Sequence, residues 1–398
     1  MTDKTFIIIG AGIAGLTLAK AFESLNISYK LYEKDQKVRG IGAGFGLASN
    51  AMKAFEILGY ADEIVPLGHM LEDFEIQDWK EKTILKADTN RLRKNYNTEN
   101  FAIHRADLHR YLYQSINPNN IITGKKVNDI QQNFEKGILY FDDQTTAEAD
   151  FIIAADGINS VIRQKLLPKS KPQYAGYICW RGIIKDDSYK SMKSIETWGP
   201  NGRFGLTPLK DNQIYWYACK NTPLNSEIYN WDLTNIKHNF QNYSGLIRST
   251  LQKTKQENLI TTPIMDLNPL HNYIYNRVIL IGDAAHATTP NMGQGACRAV
   301  EDVCILVDEI KKNHDNIFAC LENYNIRRIK RTNYIISTSR LAGKVAQVEN
   351  KILGELRNFI FRKLPTSITQ SPLDDLLEED FMQINTKSCY NIGMIGRD

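Results

Sequence analysis

The sequence predicts an α/β protein: a Rossmann-like domain assembled from separated stretches, an inserted, mostly antiparallel β-sheet domain, and C-terminal helices. Three observations predict it. A short apolar strand, Phe6-Ile7-Ile8-Ile9, runs into Gly10-Ala11-Gly12-Ile13-Ala14-Gly15 and then an apolar helix. Two further apolar strands, near 151 and 278, end in the acidic turns Asp156-Gly157 and Gly282-Asp283. Between those two strands, residues 173–219 are rich in Tyr, Trp and Ile in alternation, the pattern of antiparallel strands.

The opening unit is strand, Gly-x-Gly-x-x-Gly, helix, second strand (Ser28 to Tyr32) and acid, the dinucleotide-binding fingerprint in its full context. Gly10 permits the tight turn, Gly12 lets backbone approach a pyrophosphate, and Gly15 lets helix and strand pack closely. The amides at the helix start, with the helix dipole behind them, attract phosphate. Glu33 can accept the ribose hydroxyls. Glycines at 40, 42, 44 and 46 form a loop that can run beside the same ligand, and a helix from Asn50 stops at Gly59.

Residues 70–90 read as strands and 91–100 as a polar loop. His104-Arg105-Ala-Asp107 starts a helix, where a cation opposes the dipole; a nearby phosphate would explain Arg105. Val127 to Phe141 reads as a meander, Ser160 to Leu166 as a short helix, 232–254 as helical and Pro263 to Pro269 as irregular. Ala284 to Pro290 is a loop, Gly293-Gln294-Gly295-Ala296 opens a long helix, and the chain is helical from Ile317 to Leu364. These elements group into a discontinuous dinucleotide-binding domain (1–72, 100–172 and 265–342), a substrate domain (73–99 and 173–264), and a C-terminal helix and tail (343–398).

Composition is that of an ordinary globular protein, with 42% apolar and 24% charged residues. A net charge of +4 on 398 residues is no argument for nucleic acid. No stretch approaches the ~20 apolar residues of a membrane span, and the N-terminus does not read as a secretion signal. The six cysteines show no CxxC and no metal-type spacing with histidine. The expectation is a cytoplasmic monomer or homodimer with free thiols and no metal.

Three signatures stand in order: Gly10-x-Gly12-x-x-Gly15; Ala155-Asp156-Gly157-x-x-Ser160-x-x-Arg163; and Gly282-Asp283-Ala-Ala-His286 with Pro290-x-x-Gly293-Gln294-Gly295. Together they resemble the single-component (group A), para-hydroxybenzoate hydroxylase-like FAD-dependent monooxygenases. Tyr174-Ala-Gly-Tyr177-x-x-Trp180-x-Gly182 and Leu341 to Pro365 are similar to the branch of salicylate hydroxylase, urate hydroxylase and zeaxanthin epoxidase. The resemblance implies tightly but non-covalently bound FAD, with NAD(P)H and O2 as transient co-substrates. It implies hydroxylation of an aromatic or heteroaromatic small molecule through a C4a-hydroperoxyflavin.

The resemblance also assigns residues. Gly10, Gly12, Ala14 and Gly15 would hold the pyrophosphate, and Glu33 and Lys34 the adenosine ribose. Gly46 and Val127 match positions near flavin or adenine. Arg105 would contact the phosphate or ribityl region, and Asp283 the ribityl chain. Asp156 and Gly157 are linked to both FAD and nicotinamide. Pro290 would lie beside the flavin C4a region. Gly293, Gln294, Gly295 and Ala296 would set a helix N-terminus at the flavin pyrimidine edge, where oriented amides stabilise negative charge.

Catalytic candidates come from the inserted sheet. Arg203 aligns with a position that in urate hydroxylase is an arginine binding the substrate's anionic face; a surface-turn arginine is the plainer reading. Tyr215 shares a sheet face with Tyr217, as pocket wall or as core. Trp180 and Arg181 are adjacent, so at most one lines the pocket, and His286 reads as structural. Ala48 and Ser49 are small where relatives carry bulk, which suggests a roomier edge. Three alternatives stand beside hydroxylation: epoxidation or inactivation of a larger polycyclic, isoprenoid or antibiotic substrate, an FAD-dependent reductase without oxygen transfer, and a non-enzymatic flavoprotein. The helix Lys344 to Leu364 reads as a cap over the two domains. It is basic and amphipathic (Ile352, Leu356, Phe359, Ile360), so contact with a membrane surface is a second reading.

Overall fold

The computed structural model describes residues 4–38, 40, 44–87, 100–189, 191–313 and 315–365. Strand β1 (Phe6–Ile9) pairs in parallel with Phe151–Ala154 on one side and with β2 (Tyr29–Tyr32) on the other. Val278–Leu280 and Ile121–Ile122 extend this parallel sheet, and Ile274–Tyr275 closes it as an antiparallel edge. Every residue of β1 and of Phe151–Ala154 is buried. That is why these strands read as continuous apolar runs: a parallel sheet is covered on both faces. Helix α1 (Ile13–Ser24) packs against the helix Gly295–Lys312 in the same core.

The second sheet has seven strands, in the order Ile260–Asp266, Gln173–Lys185, Gln213–Asn221, Gly202–Pro208, Lys193–Gly199, Asp73–Asp78 and Thr83–Lys86. All neighbours are antiparallel except Asp73–Asp78, which runs parallel to Lys193–Gly199. The stretch expected to be irregular from Pro263 is thus partly strand. Pro263 sits in the edge strand, where a residue with no N–H is tolerated. Alternation splits this sheet into two faces. Ile178, Trp180, Phe204, Leu206 and Trp216 form the rear core with the helices Leu233–Asn239 and Gly245–Lys253. Trp180 stacks there on Trp231 at 5.5 Å. Arg181 therefore takes the front face, with Tyr177, Glu196, Arg203, Tyr215 and Tyr217.

Part of the alternating-glycine stretch is a strand, Gly44–Leu47, paired with Asn100–His104. Residues 41–43 and the polar loop 91–99 lie outside the described residues. The C-terminal expectation needs correcting. Instead of one helix from Lys344 there are two, Ile317–Ala346 and Lys351–Lys363. The Asn350 side chain accepts from the Ile352 and Leu353 amides and restarts the helix. The second helix packs on the seven-stranded sheet, with Gly354, Arg357 and Asn358 buried and its apolar stripe exposed.

A buried ion network fastens the long helices behind the first sheet. Arg328 donates to Asp302 and Glu301, both at 2.8 Å, and Arg331 adds 2.9 Å to Glu301. Asp302 also accepts from the Gly282 amide and lies 2.7 Å from His286 Nε2, which gives His286 the structural place expected. Burial alone would raise the Glu301 carboxyl, but Arg331 and Arg328 hold it well below the usual range. Arg328→Met leaves two buried carboxylates short of a cation. It is expected to cost about 3–5 kcal/mol, read as a lower urea midpoint with an unchanged slope.

Candidate active site

The three motifs meet at the C-terminal end of β1. Gly10 has φ +101°, and a Cβ on it would lie 2.5 Å from the Ala155 carbonyl oxygen. A Cβ on Gly15 would run into the Gly10 carbonyl. Packing therefore demands both glycines. Gly12 differs: a Cβ there would meet nothing within 4 Å, and the same holds for Gly157, Gly293 and Gly295. The missing Cβ of Gly282 faces Ala14 at 3.1 Å, which sets Asp283 over the first turn of α1. Glu33 accepts from the Ala11 amide at 2.7 Å and from the Asp35 amide at 3.0 Å, with Lys34 exposed between. His109, which the sequence did not mark, brings the Arg105–Gln114 helix to this turn through a 2.8 Å contact with the Ala11 carbonyl. Arg105 stands exposed at that helix start.

The remaining cofactor candidates fall around the same point, two of them with a qualification. The Gly46 carbonyl accepts from Cys297 Sγ at 3.8 Å, next to Gly295 and Ala296. Pro290 begins an exposed turn that ends at Gly293. Gln294 turns its side chain inward to Asn50 at 2.8 Å, so only its backbone is free to face a ligand. Val127 is a core residue paired with Phe141, near the far end of β2, where the Lys125 amide donates to the Glu33 carbonyl. Asp156 Oδ2 accepts from the Val161 amide at 3.0 Å, while its buried Oδ1 has no partner. Burial pushes the Asp156 carboxyl up.

Helix starts differ around the molecule. Arg105–Gln114, Val161–Leu166, Ile317–Ala346 and Lys351–Lys363 are capped by the side chains of His104, Ser160, Asn316 and Asn350. The helices α1, Ser49–Leu58, Asp283–His286 and Gly295–Lys312, which start around this point, have no side-chain cap. Their first amides are donors in want of an acceptor, backed by the helix dipole.

Facing these turns is the front of the seven-stranded sheet. Arg203 is no surface-turn arginine: it is 2% exposed, within the strand Gly202–Pro208. It donates to Asn291 Oδ1 and lies 3.5 Å from Glu196. Glu196 also accepts from Trp198 Nε1 at 2.6 Å and from the Tyr217 hydroxyl. Register explains the last contact. Glu196, Gly205 and Tyr217 are cross-strand neighbours, and the bare Gly205 lets the Tyr217 ring lie across it. Burial, with Glu196 adding, pushes the Tyr217 hydroxyl well up, so it stays a phenol. Burial opposes the charge on Arg203, but the Glu196 carboxylate beside it helps hold it cationic. Its buried Nε has no partner.

Two links tie this face to the elements around that point. Asn291, in the Pro290–Met292 turn, accepts from Arg203 and from Tyr177 at 2.9 Å, and donates to Thr289 and the Ser339 carbonyl. Gly44 rests on Tyr215, where a Cβ would lie 2.8 Å from the tyrosine Cβ. Tyr215 is 5.8 Å, ring to ring, from Tyr217. Sequence reasoning missed Glu196, Asn291 and Tyr177 as partners of Arg203. The one readable signal was an acid at a front-face position of a largely buried strand. Beyond Tyr177 and Asn291 opens a cleft of about 380 Å³, with Arg340, Lys344 and Gln347 on its far wall. Among the described residues no His, Cys, Asp or Glu cluster suits a metal, and no helix is long and apolar enough to cross a membrane.

Residues 3–333 match the family model described as FAD binding domain. The chain is 30% identical to the aurachin C monooxygenase/isomerase of Stigmatella aurantiaca, covering 91% of this chain and 95% of that one. It is 27% identical to the 2-heptyl-3-hydroxy-4(1H)-quinolone synthase of Pseudomonas aeruginosa, again over 91% and 95%. The crystal structure of Klebsiella pneumoniae HpxO complexed with FAD and uric acid superposes with a TM-score of 0.85 at 24% identity, covering 94% of this chain and 96% of that one.

Proposed function

This chain belongs to the FAD-binding-domain family, and from that premise we infer the work of its individual residues. It is an FAD-dependent monooxygenase that uses NAD(P)H and O2 to hydroxylate an aromatic or heteroaromatic small molecule. Within that class we propose a flat nitrogen heterocycle bearing an exocyclic carbonyl or enolate oxygen. A 4-quinolone and uric acid, named for two of the proteins it is similar to, share that chemistry. The observation that carries this reading is Arg203: a buried cation with an unspent Nε, held by Glu196 and Asn291 beside the cofactor turns.

The residues present fit FAD. Open space at Gly12 and uncapped amides at the start of α1 suit a pyrophosphate, and the Asp156 oxygen without a partner suits a donor on a nucleotide. When bound, FAD accepts hydride from NAD(P)H and activates O2 for transfer of one oxygen atom. The protein binds, orients and excludes water. Glu33 takes the adenosine ribose, and the amides after Gln294 face the ring system, where reduction adds negative charge. Arg203 donates from its planar fork to the substrate's anionic oxygen. Tyr215 and Tyr217 form the wall on which a flat ring rests, and the neutral Tyr217 hydroxyl keeps its one proton directed at Glu196. The buried front face keeps water from the reacting oxygen. We place the enzyme in the cytoplasm, where NAD(P)H is supplied, as a monomer or homodimer.

The test is substrate-stimulated NAD(P)H oxidation across alkyl-4-quinolones, urate and salicylate, with product masses read under 18O2. One ring substrate is expected to gain a single labelled oxygen. NAD(P)H oxidation with no label in any organic product would sink the reading.

A further inference from the structure

The helix Lys351–Lys363 carries an apolar stripe that no described residue covers. Ile352 is 80% exposed, Phe359 59%, Leu353 56%, Leu356 54% and Ile360 47%. At about 100° per residue these five fall within one arc of about 120°. The opposite arc holds the helix in place. Arg357 lies 4.4 Å over the Trp198 ring, Phe361 meets Trp198 edge-on at 6.0 Å, and Arg362 pairs with Asp78 at 2.5 Å. Folding therefore does not need the stripe, and an apolar patch of this kind on a water-facing surface marks an interaction site.

Charge says what kind of partner fits. The helix has four cations, Lys351, Arg357, Arg362 and Lys363, and one acid, Glu355, which is engaged by Lys80 at 3.4 Å. Lys351 and Lys363 are exposed at its two ends. An apolar arc with cations at both ends matches the boundary of an anionic bilayer, where the apolar face sinks below the headgroups and the ammonium groups stay among the phosphates. Position adds a third argument. Gln347, on the wall of the 380 Å³ cleft, precedes Ile352 by so few residues that the chain can separate them by at most about 17 Å. The cleft's inner wall is Tyr177 and Asn291, both bonded in the Arg203 cluster. Trp198, on which the helix rests, donates to Glu196 in that cluster.

We propose that the helix Lys351–Lys363 seats this enzyme on an anionic phospholipid surface, with the cleft mouth at the bilayer. Supply of an alkyl-bearing ring from the membrane rests on the substrate reading above; lipid binding itself does not. Flotation tests the binding without reference to turnover. Full-length, FAD-loaded protein is mixed with vesicles of phosphatidylcholine alone, or of phosphatidylcholine with phosphatidylglycerol. The protein is expected to float with the anionic vesicles and far less with the neutral ones. Ile352→Glu with Phe359→Glu should cut partitioning by roughly a hundredfold and keep the flavin content. Lys351→Glu with Lys363→Glu should abolish the preference for anionic lipid. Wild-type protein that stays unbound to both vesicles overturns the proposal, as does a stripe variant that floats like wild type. In the first case ultracentrifugation tells which cover replaces lipid. A dimer broken by the stripe variant means a second copy; a monomer means residues 366–398, which lie outside the described residues.

Discussion

Arg203→Ala is expected to give folded, yellow protein whose kcat/KM falls by about three orders of magnitude. The guanidinium's partners are Glu196, Asn291 and the Tyr177 ring, none of them in the glycine turn 10–15, so FAD retention should not change. Two losses act together. The substrate oxygen loses a charge-assisted donor, which costs about 1.5–3 kcal/mol. Asn291 loses one of its two donors from the sheet, keeping Tyr177, and is held less firmly in its turn. Arg203→Lys keeps the charge without the fork, and an intermediate loss of roughly ten- to a hundredfold is expected. Glu196 is the complication, because truncating the arginine strands a buried carboxylate. Trp198 and Tyr217 still donate to it, which limits the damage to stability. Adding Glu196→Gln to Arg203→Ala should restore the melting temperature and leave turnover low. Recovery of turnover along with stability would show that Arg203 only props the sheet. Loss of flavin in the single variant would show that it belongs to the cofactor site instead.

What the sequence made legible follows from what backbone geometry imposes locally. Gly10 and Gly15 cannot be replaced without collision, so their spacing is forced and readable, as is the Gly282 that lets the third strand turn over Ala14. Strands buried on both faces declare themselves as apolar runs. The Arg203 cluster obeys no such local rule. Arg203 and Asn291 are 88 residues apart, and Glu196 meets Tyr217 only through a register that puts Gly205 between them. Arg203 could be picked out by family likeness, but its burial and its partners could not. Pro263 misled because a proline argues against a strand unless the strand is known to be an edge. The C-terminal stripe was legible but its cover was not: periodicity finds an apolar face and does not say whether protein or something else will cover it. Ile352, Leu356, Phe359 and Ile360 read as one apolar face, and the structure leaves all four exposed.

Gly12→Val should yield protein that folds and carries no flavin. The position separates binding from folding. At Gly12 the backbone has φ −80° and ψ −176°, extended values that any residue adopts, and a Cβ would touch nothing in the chain. Valine adds an isopropyl group to space that the protein leaves open at the uncapped start of α1. If a pyrophosphate lies there, that group takes its place and holds it off the amides. A loss of about a hundredfold or more in FAD affinity is expected, equivalent to ~3 kcal/mol. The readout is flavin absorbance per protein after gel filtration, together with reconstitution of the apoprotein. Gly15→Ala is the contrasting variant: its Cβ strikes the Gly10 carbonyl, so it should fold poorly whether or not FAD is supplied. The comparison needs the apoprotein melting temperature. Gly12→Val should match wild-type apoprotein and fail to gain stability when FAD is added, because a ligand that binds only the folded state stabilises only what it binds. A yellow Gly12→Val protein would mean that the space at the turn faces solvent rather than phosphate. The cofactor would then have to be held from the uncapped starts of Ser49–Leu58, Asp283–His286 and Gly295–Lys312 instead.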